Sequence, residues 1–198
     1  METSRIVISP NIYLRIRTMR DSPLLPNLKQ IYIPYSPSRD VDLSSALFLA
    51  PGSTLNTVQL DRNATSNRQF IVPFLSSLYI KSPGLSHLAL RGVVRCASLE
   101  PIYRFKGLQS LEIRFRIPRL NLQFLQELGQ LPHLLDLIID IGDIATSIQP
   151  HTEAIFISDS NFRQLRLLQI VGTTTSINCI LNELEGLTKL STLKIDKV

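Results

Sequence analysis

By type and spacing, three carboxylates and three histidines are the residues of this chain closest to doing chemistry. Asp136 and Asp140 are four residues apart, and in an extended chain residues of equal parity share one face. Glu112 would join them if its segment lay on a neighbouring strand. Such a group could hold a hard cation or share a proton in acid–base work. Both roles need convergent partners, and His87, His133 and His151 are scattered along the chain. The two cysteines, Cys96 and Cys179, stand in no metal or redox spacing. There is no Gly-rich phosphate loop, no Gly-x-Ser-x-Gly and no His-Glu-x-x-His. The acidic residues therefore read as a solvated stripe, and the chain is expected not to be an enzyme. No catalytic residue, metal or cofactor is expected. Asn63-Ala64-Thr65 has the form of a glycosylation triplet but reads as a turn.

The elements that would carry these residues are set by one recurring pattern: Leu, two residues, an aliphatic, any residue, another aliphatic. It occurs as Leu28-Ile31-Ile33, Leu55-Val58-Leu60, Leu85-Leu88-Leu90, Leu108-Leu111-Ile113, Leu134-Leu137-Ile139, Leu165-Leu168-Ile170 and Leu190-Leu193-Ile195. The starts are 27, 30, 23, 26, 31 and 25 residues apart. A near-constant period of this length marks a solenoid, whose units are stable only against their neighbours. The last two aliphatics of each unit are two apart, so they point to one side of a strand. Stacking in chain order predicts a single parallel sheet, with six gaps spanning roughly 29 Å.

The connections must return the chain to the same edge. Asp42 to Ala50 suits a short helix ended by Pro51-Gly52. Pro73 to Ile80 puts Phe74, Leu75 and Leu78 on one helical face, with Pro73 at the first position. Asn121 can cap a helix bearing Leu122, Leu125 and Leu128 and stopped by Gly129. Ser176 can cap one bearing Ile177, Ile180, Leu181 and Leu184, stopped by Gly186. Gly92 to Lys106 has room for a turn or two, and Asp143 to Asn161 is the longest connection. A Pro two places before the leading Leu, at Pro26, Pro83 and Pro132, punctuates the entry to the strand.

With 198 residues, 44% of them hydrophobic and 19% charged, the chain suits one folded domain. Residues 1–23 read as an irregular N-terminal cap or a degraded repeat; residues 24–198 form the repeat domain of about seven units. No secretory signal is visible at Met1-Glu2-Thr3-Ser4-Arg5, and no apolar stretch is long enough to span a bilayer. The cytoplasm or nucleus is the expected location. The net charge of +5 is uneven: residues 1–120 carry 16 Lys/Arg against 7 Asp/Glu, and residues 121–198 carry 5 against 9. A basic half containing Arg91, Arg95, Arg104, Lys106, Arg114, Arg116 and Arg119 raises nucleic-acid binding as an alternative, weakened by the lack of an aromatic stacking platform. The abrupt ends keep open a truncated fragment without independent function.

The units resemble leucine-rich repeats over about residues 24–195. Leu25-Pro26-Asn27-Leu28-Lys29-Gln30-Ile31, Leu131-Pro132-His133-Leu134 and Leu187-Thr188-Lys189-Leu190-Ser191-Thr192-Leu193-Lys194-Ile195 look like the irregular repeats of fungal F-box proteins. The resemblance implies an α/β leucine-rich-repeat solenoid, a horseshoe with a parallel sheet on its concave face and short helices or loops outside. It also implies a protein-interaction scaffold, like the substrate-recognition half of an F-box ubiquitin-ligase adaptor. A Skp-type adaptor would be a partner only through an F-box outside this chain, since none is found within it. The Asn or Cys that the family places three residues past the strand is matched by Asn63 alone; Ser36, Val93, Arg116, Gly142, Thr173 and Val198 stand at the others.

Positions between the core aliphatics should face the concave side. Tyr32, Gln59, His87, Arg91, Glu112, Arg114, Asp136, Ile138, Asp140 and Gln169 are the candidate partner-binding residues there. Tyr32, Ile138, Leu167 and Val171 are more apolar than solubility requires. Arg91 and Arg114 could anchor an acidic partner; the resemblance to F-box proteins implies a ubiquitination substrate as the bound protein.

Overall fold

A computed structural model describes residues 27–33, 54–62, 68–92, 99–114, 122–142, 162–184 and 187–197. Seven strands form one open sheet: β1 (Gln30–Ile33), β2 (Thr57–Arg62), β3 (His87–Gly92), β4 (Ser110–Arg114), β5 (Asp136–Gly142), β6 (Leu167–Gly172) and β7 (Thr192–Lys197). Their spatial order is their chain order, and every pair is parallel. The register matches the sequence pattern unit for unit. Ile31, Val58, Leu88, Leu111, Leu137, Leu168 and Leu193 form one row across the sheet, and Ile33, Leu60, Leu90, Ile113, Ile139, Ile170 and Ile195 form the next.

Two backbone features hold that register. The residue after each leading Leu offers its carbonyl to two N–H groups of the following unit. Lys29 O accepts from Asn56 and Thr57, Asn56 O from Ser86 and His87, and Ser86 O from Gln109 and Ser110. The same forked bond recurs from Gln109, Leu135 and Arg166, at N···O distances of 2.7–3.1 Å throughout. Ahead of the leading Leu, its own N–H closes a turn on the carbonyl three residues back: Leu85 on Ser82, Leu108 on Phe105, Leu134 on Leu131, Leu165 on Phe162 and Leu190 on Leu187. Pro83 and Pro132 occupy the second place of such turns, where a fixed φ near −65° is favourable.

Each described connection packs apolar residues under the sheet. The first described helix, α1 (Arg68–Lys81), buries Ile71, Phe74, Leu75 and Leu78; a 3-10 turn, Glu100–Arg104, buries Ile102. The second helix, α2 (Leu122–Gly129), buries Phe124, Leu125 and Leu128, and the third, α3 (Thr174–Glu183), buries Ile177 and Ile180. Successive connections touch through aromatic rings: Tyr79 meets Phe105 edge-on with centroids 5.5 Å apart, and Tyr103 meets Phe124 at 6.0 Å. The helices and the core rows of β1–β6 belong to one continuous apolar cluster.

Two expectations need correction. Helix α1 begins at Arg68, so Pro73 lies inside it and not at its first position. One helical hydrogen bond is lost at Pro73, but the exposed ring meets solvent while Ile71 extends the buried stripe by a turn. Helix α3 begins at Thr174, ahead of Ser176; the Ile177 N–H donates to Thr173 O at 2.9 Å and starts the helical ladder there. In α2, Phe124 is a core residue that the Leu spacing alone does not reveal. The readings of residues 1–23, the helix at 42–50, the connection at 143–161, and Asn63, Cys96, Asn121, His151 and Gly186 lie outside the described residues.

Burial is deepest in the middle of the stack and falls away at its last strand. Leu111 is fully buried, whereas Leu193, in the same row, is 46% exposed and Ile195 is 41% exposed. Ser82 occupies the turn position filled elsewhere by Phe105, Leu131 or Phe162, and its Oγ is buried without a hydrogen-bond partner among the described residues. Two stability measurements check this arrangement by urea unfolding. Leu111→Ala should cost about 2–5 kcal/mol, and Leu193→Ala less than about 1 kcal/mol because its side chain is already half in water. Ser82→Ala should be neutral or stabilising by up to about 1 kcal/mol, since it removes an unsatisfied buried hydroxyl. A loss on Ser82→Ala would mean that the hydroxyl has a partner.

Candidate functional site: the charged face of the sheet

Strand alternation sends the residues between the core rows to the other face. There the register sets Gln30, Thr57, His87, Ser110, Asp136, Leu167 and Thr192 side by side. The next row is Tyr32, Gln59, Ala89, Glu112, Ile138, Gln169 and Lys194. The third is Asp61, Arg91, Arg114, Asp140, Val171 and Asp196. The ten candidate residues thus share one face of one sheet.

Arg91 and Arg114 are direct cross-strand neighbours, an arrangement that like charges make unfavourable. Glu112 resolves it. Diagonal to Arg91 and two residues before Arg114, it accepts from Arg91 Nε and Nη2 at 2.8 Å each and from Arg114 Nε at 2.9 Å. Glu112 is only 9% exposed, so the fork of Arg91 covers it from solvent. Burial pushes the Glu112 carboxyl up, but the hydrogen bonds and charges of Arg91 and Arg114 outweigh that and hold it below its ordinary value. The Glu112 hydrogen bond raises Arg91 against the opposing effect of burial, with Asp61 adding to the rise. On β1 and β2, Tyr32 donates its hydroxyl to Asp61, which is itself the cross-strand neighbour of Arg91.

Much of the charge on the β1–β4 part is therefore balanced within the face. The two arginines expected to be ready for an acidic partner are bound to Glu112, and Asp61 and Asp140 flank them in register. Arg114 remains half exposed. Glu112 also turns to the arginines and not to Asp136 or Asp140, whose direct neighbours on β4 are Ser110 and Arg114. Among the described residues no three of His, Cys, Asp and Glu come together in a way that could hold a metal. His87 is exposed and meets the Ser86 hydroxyl at 2.7 Å through Nδ1; His133 is exposed in the turn before β5. At the β7 end, Gln169 Nε2 donates to Asp196 at 2.8 Å.

Sequence reasoning found the members of this face but missed the pairing of Glu112 with both arginines. The signal was available: aligned units place Arg91 and Arg114 in equivalent positions, and a carboxylate must separate them. Compared with known proteins, the chain matches no family model, no curated protein and no solved structure. Among the described residues no helix is long and apolar enough to cross a membrane.

Replacing Glu112 by Gln leaves two neighbouring guanidinium groups without their shared anion. Glu112→Gln should cost about 1–2 kcal/mol at low salt and less in high salt, which screens the arginine pair. The carboxyl is depressed in the folded state, so its contribution is complete above the ordinary value of 4.5 and is lost as pH falls through the lower folded value. The difference between wild type and Glu112→Gln in thermal melts should therefore shrink below about pH 4. A gap that is independent of pH would exclude this charge network as its cause.

Proposed function

We propose that this chain is a non-catalytic protein-binding module of the leucine-rich-repeat kind, a horseshoe whose exposed sheet face is the docking surface. One observation carries the reading: seven parallel strands in chain order present side chains in fixed rows, with no helix of the described residues assigned to that side. Such an array supports recognition spread over many strands, whereas an enzyme needs a few groups converging on one point. The apolar members Tyr32, Ile138, Leu167 and Val171, set among charges, suit contact with another protein. Nucleic-acid binding draws less support, because Arg91 and Arg114 are engaged with Glu112.

The finer reading is that the module acts as the substrate-holding half of an F-box adaptor, in the cytoplasm or nucleus. It rests on the resemblance of the repeat phrases to fungal F-box proteins. In that arrangement the partner on the face is a ubiquitination substrate, and a Skp-type adaptor binds only an F-box joined to the module.

Affinity capture with paired surface variants tests the proposal. Gln59→Trp and Gln169→Trp place bulky groups on the exposed face, and both should reduce recovery of a bound protein by about tenfold or more. Lys106→Ala and Glu127→Gln, on the connections, should leave recovery unchanged. If recovery follows the connection variants instead, the binding surface lies on the other side. For the finer reading, an F-box fused to the chain should bring the Skp-type adaptor and cullin into the eluate with the same partner; their absence would confine the function to binding.

A further inference from the structure

The last strand of the sheet is built like the others but left open. Leu193 and Ile195 continue the two aliphatic rows, yet they are 46% and 41% exposed, and Leu187 and Leu190 ahead of them are only partly buried. At the other end the same rows finish better covered: Ile31 is 9% exposed and Ile33 is half-buried. The outer edge of β7 is bare as well. Thr192 N–H donates to Arg166 O, on the β6 side, and backbone groups alternate in direction along a strand. The N–H and C=O of Leu193, Ile195 and Lys197 therefore face away from the sheet. Ser191 O, the counterpart of the six forked acceptors, receives no backbone N–H from the described residues. A bare edge beside exposed aliphatics is a template for a further strand.

We propose that the occupant of this edge is β7 of a second copy of the chain, paired antiparallel about a two-fold axis at Ile195. Only one end of the stack exposes its aliphatic rows, so two copies match by that end and not head to tail. The charges choose the register. An axis at Lys194 would set two ammonium groups face to face, and one at Asp196 two carboxylates. With the axis at Ile195, each Lys194 faces Asp196 of the other copy, in the close pairs whose Cα atoms lie about 4.5 Å apart. Asp196 Oδ2 also accepts from Gln169 Nε2 at 2.8 Å, but that amide is neutral and leaves the carboxylate its charge. On the apolar side Ile195 meets its own counterpart, and the stem of Lys197 lies along Leu193. The outward backbone groups of Leu193, Ile195 and Lys197 then bond those of Lys197, Ile195 and Leu193 in the other copy. Both edges are consumed, so assembly closes at two. The pairing holds whatever the sheet face binds, since it uses the edge alone.

Sedimentation velocity of the whole chain over a wide concentration range tests this. Wild type should pass from monomer to dimer with a Kd on the order of tens to hundreds of micromolar, as suits so small a contact. Ile195→Lys, which sets two ammonium groups on the axis, should weaken the dimer at least about tenfold. Its melting profile at low concentration should stay near that of wild type. Lys194→Glu and Asp196→Lys should each lose the dimer when alone. Mixed in equal amounts they should form a heterodimer about as tight as wild type, because opposite charges then meet at both positions. Amide exchange gives a separate readout: Leu193, Ile195 and Lys197 N–H should gain protection as concentration rises, and Lys194 N–H, which faces β6, should not. A wild-type chain that stays monomeric, undiminished homodimers of either charge variant, or no gain on mixing would overturn the proposal. So would oligomers that grow past two, which mean head-to-tail stacking. Association lost on Gln59→Trp but not on Ile195→Lys would move the contact to the sheet face and overturn it equally.

Discussion

Register in this sheet depends on one carbonyl per unit. The oxygen of the residue after the leading Leu receives two N–H groups from the next unit, six times in succession. The connections cannot perform this task, because the elements they carry range from a 14-residue helix, α1, to a five-residue 3-10 turn. Whatever its length, each described connection ends in a turn closed by the leading Leu N–H, and the forked bond then fixes where pairing starts. The consequence reaches every side chain. Side chains alternate along a strand, so a slip of one residue would send the aliphatic rows to water and the charged rows into the core. A local backbone device thus decides the composition of both faces.

The connections then act as filling, and their variety becomes intelligible. A unit needs some apolar residue under its strand, and the described connections supply it differently: a long helix with Phe74 and Leu78, a turn with Ile102, a short helix with Phe124. Aromatic contacts between successive connections, Tyr79 with Phe105 and Tyr103 with Phe124, join them laterally as the ladder joins the strands. The longest separation between units follows β5, where Ile141 is an extra residue against β6: Asp140 pairs with Val171 and Gly142 with Gly172. That irregularity buries Ile141 in the core and ends regular pairing just before the long connection.

The sheet was legible in the sequence because its signal is periodic and strong: two aliphatics of equal parity, repeated seven times, allow only one stacked register. Helix ends were less legible. Pro73 normally marks a first turn, yet the apolar stripe that includes Ile71 extends the helix past it; Ser176 is a good cap by type, but the ladder starts at Thr173. The turn residue three places before the leading Leu was legible and overlooked. Phe105, Leu131, Phe162 and Leu187 share an apolar character there, and Ser82 breaks it. Phe162 does so with a positive φ of 54°, a conformation that no sequence rule assigns to Phe. The engagement of Arg91 and Arg114 was the least legible, since it depends on diagonal geometry between two strands and not on spacing within either.

The position of that ion cluster bears on why it is there. It joins β3 to β4, in the best-buried part of the stack, where Leu88, Leu90, Leu111 and Ile113 already pack without exposure to speak of. A partly buried carboxylate adds little net stability over an apolar residue of similar size, because desolvation offsets most of its attraction to the arginines. Its effect on alternatives is larger. If β4 slipped by one residue, Glu112 and Arg114 would turn together toward the aliphatic core, and Glu112 would lose its two bonds from Arg91. An uncompensated buried charge costs several kcal/mol. The wrong register is therefore penalised far more than the correct one is favoured. The same three residues that balance charge on the exposed face thus weigh against a slipped pairing of β3 and β4, beside the forked carbonyl bonds that set the register.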